Sequence, residues 1–342
     1  MPSMNQVILN APLDMHLHLR DGEMLENIAK GSAHTFSGAI IMPNLVPPVS
    51  SKEDVVAYKK RIMSAIGNEE FKPYMTLFFK PSYDKAFLES VKDEIKAIKL
   101  YPAGITTNSE GGVSGFDVEE LRPALSAMAE LNIPLCIHGE TNGFVMDREA
   151  EFVSIYEKLA SAFPDLKIIM EHITTKESVA ALDKFENLYA TITIHHLLIT
   201  LDDVAGGMLQ PHLFCKPIAK RPEDREALLK VALGAHPKVM FGSDSAPHPQ
   251  HAKESCGCAA GVFTAPIALQ LLTELFEKNA ASVENLQAFI SGNAQTIYGV
   301  TPLSKTVTLE KRPFKVPSNY NGVVSMYADE EIAYSIQEVS NG

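Results

Sequence analysis

The chain has 342 residues, of which 46% are hydrophobic and 21% charged, a balance typical of a globular protein rather than a disordered one. Its formal net charge of −12 argues against a surface that coats nucleic acid or an anionic membrane, because both need clustered lysine and arginine. The start, MPSMNQVILNAPL, lacks a leader pattern, and no apolar run reaches the roughly 18 residues of a membrane span. The four cysteines form no CxxC pair. We therefore expect a cytoplasmic protein with reduced thiols.

Short apolar runs alternate with helix-patterned segments along the chain, as they do in parallel βα units. Eight of these runs are predicted strands: 13–18, 39–42, 74–79, 95–100, 134–138, 167–172, 189–193 and 239–242. Predicted helices between them include 54–66, 117–131, 148–163, 176–185 and 222–233, with Asp117 and Thr175 at N-cap positions. This alternation predicts an α/β fold of the (β/α)8 TIM-barrel type, and no GxGxxG or Walker segment supports an open doubly wound sheet.

Two stretches depart from the alternation. Residues 104–115, GITTNSEGGVSG, are small, polar and glycine-rich and directly follow the fourth predicted strand, which indicates a mobile loop. After about residue 304 the pieces 305–309 and 322–327 are strand-like. We expect one domain over residues 1–342, with a barrel core at about 11–300 and a small C-terminal β-containing appendage at about 304–342.

Potential ligands and acid–base groups stand at the ends of five predicted strands. His16 and His18 are two apart in a strand and so share one face, where two imidazoles suit a divalent metal. Alone, the HxH pattern is equally compatible with two histidines at a strand end. Lys99, His138, His172 and Asp244 end other predicted strands, at the barrel edge where enzymes of this fold place their chemistry. Together these residues predict a metal site.

The segments DMHLHLRDG, IMPN, KLYPAGITTNS, IHGE, EHITT and GSDSAPH resemble the amidohydrolase superfamily, and within it the dihydroorotases of the single-chain bacterial type. The resemblance implies two Zn²⁺ ions, one held by His16, His18 and Asp244 and the other by His138 and His172. It further implies that Lys99 captures CO2 and bridges both ions as N6-carboxylysine, since a carbamate has two oxygens for two cations.

The resemblance also implies a reaction, the reversible cyclisation of N-carbamoyl-L-aspartate to (S)-dihydroorotate and water in pyrimidine biosynthesis. Hydroxide on the two metals attacks the ring carbonyl in the hydrolytic direction, and Asp244 carries the proton to the leaving nitrogen. The family pattern further implies a homodimer with this small-molecule substrate, without a nucleic-acid or membrane partner.

Substrate contacts are implied for Arg20, Asn44, His138 and His248, of which Arg20 suits a bidentate grip on the free carboxylate. Backbone contacts to the ring map to Lys216 in FCKPIAKR and Ala260 in CGCAAG. Two departures from the family pattern concern these positions. Lys216 stands where leucine is expected, and Ala259 competes with Ala260 for the same match.

In residues 104–115, the resemblance implies that Thr106 and Thr107 close over the substrate, whereas a solvated connector is the plain alternative. His195 and His196 follow the seventh strand and are expected to pack behind the site rather than bind metal. Surface or packing roles are expected for the remaining histidines and for two loop cysteines: His34, His212, His236, His251, Cys256 and Cys258.

Two other functions compete with this prediction. A hydantoinase or allantoinase would use the same metal ligands, although Arg20, Asn44 and His248 favour a ring that carries a carboxylate. A catalytically silent barrel that only binds another pathway enzyme is expected to have lost ligands, and this chain retains every candidate.

Overall fold

The computed structural model describes residues 5–342, and residues 1–4, which the predicted domain includes, lie outside the described residues. The strands are β1 (Gln6–Asn10), β2 (Leu13–Leu17), β3 (Gly38–Ile41), β4 (Lys72–Phe78), β5 (Ala97–Leu100), β6 (Leu135–Ile137), β7 (Ile168–Met170), β8 (Leu188–Ile192), β9 (Val239–Phe241), β10 (Lys305–Glu310), β11 (Phe314–Lys315), β12 (Glu331–Ile332) and β13 (Ser335–Asn341). The helices are α1 (Gly22–Thr35), α2 (Lys52–Ile66), α3 (Lys85–Val91), α4 (Val118–Glu130), α5 (Arg148–Ala162), α6 (Lys176–Ala181), α7 (Ile194–Leu198), α8 (Leu201–Ala205), α9 (Pro222–Leu233), α10 (Gln250–Lys253), α11 (Ala268–Lys278), α12 (Val283–Gln287) and α13 (Asn293–Tyr298). No helix within these described bounds is both long and apolar enough to cross a membrane.

The strands β2 to β9 form a parallel sheet in which neighbours in space are neighbours in sequence. A bridge between Leu17 and Ser245 brings the first and last of these strands together. Two backbone hydrogen bonds continue the closure, from Asp244 N to His16 O at 2.8 Å and from His18 N to Ser245 O at 3.3 Å. The prediction of a (β/α)8 barrel is confirmed, and each of the eight predicted strands overlaps an observed one.

Two apolar layers surround the barrel wall. The inner layer includes Leu13, Ile40, Ala97, Ile169 and Met240, each from a different strand. The outer layer joins the strands to the helices that cover them. Both faces of the wall are buried, which explains why the strands are continuous apolar runs instead of alternating ones.

Helix starts follow the local capping signals. Ser51 and Asp54 form a capping box at α2, and the helix begins two residues before its predicted start. The side chains of Asp117 and Thr175 cap α4 and α6, as predicted. The predicted helix 176–185 is too long, because α6 ends at Ala181 and turns follow it.

The appendage is an antiparallel sheet in the order β1–β10–β13, so it takes a strand from each end of the described chain. The prediction of a strand at 305–309 matches β10. The predicted strand at 322–327 is wrong. Gly322 and Tyr327 have φ angles of 84° and 58°, which extended strands do not accept, and the segment forms turns instead.

Buried polar groups join the first and last barrel strands close to His16 and Asp244. The carboxylate of Asp14 accepts hydrogen bonds from Ser243 N at 2.7 Å and Ser243 Oγ at 2.6 Å. A side chain at Gly242 would place its Cβ 2.9 Å from that of His16, so only glycine permits this approach. This junction, which we call the seam, sets His16 beside Asp244.

Candidate active site

A cavity opens at the ends of the barrel strands, on the edge predicted from the sequence. Most of the predicted site residues line it, together with Tyr101, Ala246 and Gly261: His16, His18, Arg20, Asn44, Thr106, Thr107, His138, His172, Lys216, Asp244 and Ala260. Lys99 and His248, the other two predicted residues, adjoin this set: Lys99 Nζ faces the ring of Tyr101, and His248 contacts Arg20 and Ala260.

Three potential ligands from the two sides of the seam converge on one point. Nε2 of His16 lies 3.3 Å from Nε2 of His18 and 3.5 Å from Oδ1 of Asp244. Nε2 of His18 lies 3.1 Å from the same Asp244 oxygen. These separations are close to the edges of a tetrahedron around a cation with bonds of about 2.0–2.2 Å. Burial lowers the pKa of His18 to about 4, so a neutral imidazole, the form that binds metal, prevails at neutral pH.

A second pair of imidazoles faces a neighbouring point. Nδ1 of His138 lies 3.1 Å from Nε2 of His172, and the two rings meet nearly edge to face. His172 connects the pairs, because its ring centre is 5.0 Å from that of His16. Burial also holds the pKa of His172 well below its usual value, which keeps this ring neutral.

Two carboxylates missed by the sequence analysis fix these rings from behind. Nδ1 of His16 donates to Oε2 of Glu171 at 2.7 Å, and Nε2 of His138 donates to Oε2 of Glu140 at 2.7 Å. Burial favours the protonated carboxyls, but hydrogen bonds and charge from the histidines hold both pKa values below the usual range. Each ring therefore turns its free nitrogen lone pair toward the common points, the arrangement typical of metal-bound histidine. The motifs IHGE and EHITT contain both glutamates.

Lys99 lies fully buried near the end of β5. Its side chain is 0% exposed, and Nζ finds no hydrogen-bond partner within residues 5–342. Nζ faces the ring of Tyr101 at 5.0 Å. Burial lowers the pKa of this amine, against the opposing charges of Glu171 and Asp244. An unpaired buried ammonium is costly, so the site favours a neutral amine or a modified one.

Asp244 has the properties of a proton acceptor. Burial alone would raise the pKa of its carboxyl, but the hydrogen bond with His18 and the neighbouring imidazoles hold that pKa well below its usual value. Its backbone has a φ of 42°, which turns the side chain out of the strand direction and into the cavity. The group is therefore an ionised carboxylate at the centre of the site.

The opposite wall of the cavity carries donors for an anion. Arg20 is held by a bond from Nε to Pro247 O at 3.1 Å, and its Nη2 lies 3.1 Å from Nε2 of His248. The same His248 nitrogen lies 3.0 Å from the carbonyl oxygen of Ala260. Between the two matches left open by the sequence, Ala260 lines the cavity, and Ala259 points its carbonyl at Lys253.

Lys253 organises two of these loops and was not found from the sequence. Nζ of this buried lysine donates to the carbonyl oxygens of Phe214, Ala259 and Gly261, at 2.9, 2.8 and 2.7 Å. Phe214 lies two residues before Lys216, and the other two flank Ala260. One ammonium thus ties together both segments that were predicted to contact the ring.

Residues 104–115, which we call the lid, cover the cavity. Thr106 and Thr107 line it, and Nδ2 of Asn44 donates to Thr107 O at 3.0 Å. Within the lid, Thr106 N donates to Ser109 Oγ, which donates in turn to Thr106 O at 2.7 Å. Ile105 and Ser109 are buried and Thr106 to Asn108 are half-buried, so this part of the segment packs against the site.

A second cluster of potential ligands lies behind the site. His195, His196 and Cys215 are buried and have potential ligand atoms within 4.8 Å of one another. However, His196 is engaged at both nitrogens, with Thr193 Oγ1 at 2.9 Å and Pro217 O at 3.0 Å, and the thiol of Cys215 also donates to Pro217. These contacts agree with the packing role expected for His196.

The other histidines and cysteines, for which surface or packing roles are expected, do not line the cavity. His34, His212 and His236 face the carboxylates Glu69, Glu254 and Asp183, and His251 is exposed. Cys256 is exposed, while Sγ of Cys258 lies 3.7 Å from Pro211 O, as expected of a thiol that packs a loop.

The chain is similar to known proteins over nearly its whole length. A family model described as amidohydrolase matches residues 75–300. Dihydroorotase from Helicobacter acinonychis (strain Sheeba) is 45% identical over 341 residues, which cover 98% of this chain and 100% of that protein. The crystal structure of dihydroorotase from Campylobacter jejuni is 58% identical, with a TM-score of 0.94 and 98% of both chains covered. Dihydroorotase from Saccharomyces cerevisiae, crystallised with 5-fluoroorotic acid, is 32% identical, with a TM-score of 0.91, covering 97% of this chain and 98% of that one.

Proposed function

Because the chain belongs to the amidohydrolase family and, within it, to the dihydroorotases, which interconvert N-carbamoyl-L-aspartate and (S)-dihydroorotate, we propose that it works with two zinc ions and a carboxylated lysine. The observation that carries the proposal is the two groups of imidazoles, each with one ring braced by a glutamate, together with the buried amine of Lys99, which has no hydrogen-bond partner among the described residues.

The donor set fits two divalent ions. His16, His18 and Asp244 would hold one ion, and His138 and His172 would hold the other. Neutral imidazoles and one carboxylate are ligands that zinc accepts, and the glutamates behind the rings supply the hydrogen bonds that such ligands need. When bound, the ions would lower the pKa of a water molecule and polarise the carbonyl under attack.

Lys99 fits the bridging position. A buried amine with a lowered pKa is a nucleophile for CO2, and the product is a carbamate with release of one proton. The carbamate offers two oxygens in a place where the unmodified amine has no hydrogen-bond partner among the described residues. Carboxylation would thus replace an amine whose cationic form is unfavourable in this buried site with an anion that two cations could share.

Asp244 would move the proton. In ring opening, its carboxylate takes a proton from the attacking water and delivers it to the ring nitrogen as the C–N bond breaks. In ring closure, the same carboxylate takes the proton from the ureido nitrogen as the C–N bond forms and delivers it to the departing hydroxide, which leaves as water. The low pKa of Asp244 keeps it ready to accept a proton at neutral pH.

The substrate carboxylate would lie against Arg20, Asn44 and His248. Arg20 is in contact with His248, and Arg20 and Asn44 both line the cavity. His138 borders both the metal position and this space. The backbones of Lys216 and Ala260 would contact the ring, and Thr106 and Thr107 would exclude water from above.

We further propose a cytoplasmic homodimer. The cysteines of the described chain are all free, which suits a reducing compartment. Met208 and Leu209 expose 85% and 67% of their surface, an adjacent apolar pair that a partner subunit would cover. Light scattering on the purified protein would measure the mass in solution, and a monomer at all concentrations would contradict the dimer.

A combined measurement of zinc content and dihydroorotate hydrolysis tests the metal proposal. We expect two zinc ions per chain, loss of activity on chelation and recovery when zinc returns. Full activity in metal-free protein would refute the role of zinc. A mass spectrum of the metal-loaded native protein with an unmodified Lys99 would refute the carbamate separately.

A further inference from the structure

The side chain of Lys216 makes a contact that a backbone role for this residue does not require. Lys216 lies in the loop after β8, where it is half-buried and lines the cavity. Its Nζ donates to the carbonyl oxygen of Ile105 in the lid, at 3.0 Å. Ile105 itself is buried, 8% exposed, beneath the lid.

The lid is bonded to the loop after β3 as well. Nδ2 of Asn44 donates to Thr107 O, and Nδ2 of Asn108 donates to Asn44 O, both at 3.0 Å. The lid follows β5, so its side-chain contacts come from a strand earlier in the barrel and from one later in it. Lys216 supplies the contact on the later side.

Few hydrogen bonds within the lid hold it in place. Its internal bonds are local, from Gly104 N to Ser109 O and from Gly112 N to Ser109 O. At its base, Ala103 and Val113 are joined by a backbone bond of 2.9 Å, and Gly104 has a φ of 71°. These bonds are few and local, so contacts from outside the lid determine how long it stays closed and how often its amides are exposed to solvent.

We propose that Lys216 is the latch of the lid, a positioning residue whose ammonium holds the lid closed over the bound substrate. A hydrogen bond from an ammonium to a carbonyl is stronger than one between neutral groups, and an apolar side chain at this position could not make it. The latch acts at the exit of the cavity rather than on the reacting atoms. Its effect on turnover rests on the proposed function, but its effect on the lid does not.

Hydrogen exchange of the substrate-free protein tests the latch directly. In Lys216→Met, which keeps most of the stem and loses the donor, we expect lid amides within 104–113 to exchange roughly tenfold faster, the loss of one charge-assisted bond. Lys216→Arg should largely restore protection. Lys230→Met, which changes an exposed lysine of α9, is the matched control. Unchanged exchange in barrel peptides shows that the variants are folded.

Kinetics then separate a latch from a chemical role. Lys216→Met should raise KM severalfold with a small change in kcat, and Lys216→Arg should reverse most of that rise. Lid exchange equal to that of Lys230→Met would overturn the proposal, and so would a collapse of kcat with a normal KM. If even the wild-type protein failed to act on dihydroorotate, the proposed function would fall while the exchange result still decided the latch.

Discussion

Single residues outside the cavity determine how its ligands point. Glu171 reaches His16 across 155 positions of sequence, and Thr191 Oγ1 donates to the same Glu171 oxygen at 2.6 Å. Because a carboxylate can only accept, it assigns the proton of His16 to Nδ1 and frees Nε2 for the cavity. The orientation of the ring is thus determined from behind.

Glu171→Gln is expected to weaken metal binding by about 10- to 100-fold, since an amide accepts less strongly and can present a donor to the ring. Competition with a chelator of known affinity would measure the change. Glu177→Gln, an exposed glutamate on α6, is the control. Metal affinity that matched this control would contradict the bracing role of Glu171.

Lys253 gives a prediction about pH. Burial lowers its pKa from 10.5 to about 8. Between these values the unfolded chain binds more protons than the folded one, so the contribution of Lys253 to stability is complete above pH 10.5 and is lost as pH falls through 8. The free energy of unfolding of wild type relative to Lys253→Met should therefore rise by up to about 3 kcal/mol across this range.

Denaturant unfolding at a series of pH values would measure that difference. Lys230→Met serves as the control for the loss of a lysine at an exposed site. A difference between wild type and Lys253→Met that stayed constant with pH would show that Lys253 does not titrate differently on folding.

At the scale of elements, the loop that carries His172 is anchored by the neighbouring helix. Glu149 in the first turn of α5 accepts bonds from the backbone nitrogens of Thr174 and Thr175, at 2.8 and 3.0 Å. Its oxygens also accept from the hydroxyls of Thr174, Thr175 and Ser178. One buried carboxylate therefore caps α6 and sets the turn that follows His172.

Glu149→Gln should cost about 2–3 kcal/mol of unfolding free energy, because the amide turns a donor toward groups that are themselves donors. Thermal or urea unfolding would measure the loss. Glu157→Gln removes only a surface pair with Lys184 at 2.7 Å, and such pairs contribute little. Equal stability of the two variants would mean that water replaces the lost bonds at α6.

Much of the site was predictable because parallel strands bring their ends to one edge of the barrel. Each histidine or aspartate at a predicted strand end could therefore be assigned to that edge. The β2 strand shows where the rule of alternating side chains fails. Leu13 and Met15 pack in the barrel interior, so strict alternation would point His16 outward. A register shift between Asp14 and Leu17 changes the direction, and His16 and His18 both reach the cavity.

Partners of long side chains were not predictable. The amine of Lys216 donates a hydrogen bond to the carbonyl oxygen of Ile105, 111 positions away in sequence. The amine of Lys253 donates to three carbonyl oxygens. The flexible four-carbon stem of lysine can place the amine near many different acceptors. Only the folded loops determine which acceptors it binds. The strand predicted at 322–327 failed for a related reason, since apolar composition did not reveal its positive φ angles.

At the scale of the whole molecule, the seam closes the barrel and also sets His16 beside Asp244. Ser243 Oγ donates to Asp14 and accepts from Ser245 N at 3.0 Å. Ser243→Ala should lower the unfolding free energy by about 1–3 kcal/mol, because a buried carboxylate loses a donor. Urea unfolding would measure this, with Ser161→Ala on the exposed face of α5 as control. A loss no greater than the control's would mean that backbone bonds alone close the barrel.

The small sheet β1–β10–β13 also determines where the described chain ends lie. Gly342 N bonds to Ser304 O, and Ala11 N bonds to Lys305 O, immediately before β2 begins. Gly342 therefore lies near the start of β2, whereas the cavity opens where the barrel strands end. A reporter domain joined to Gly342 would therefore lie at the rim away from the cavity and leave substrate entry open.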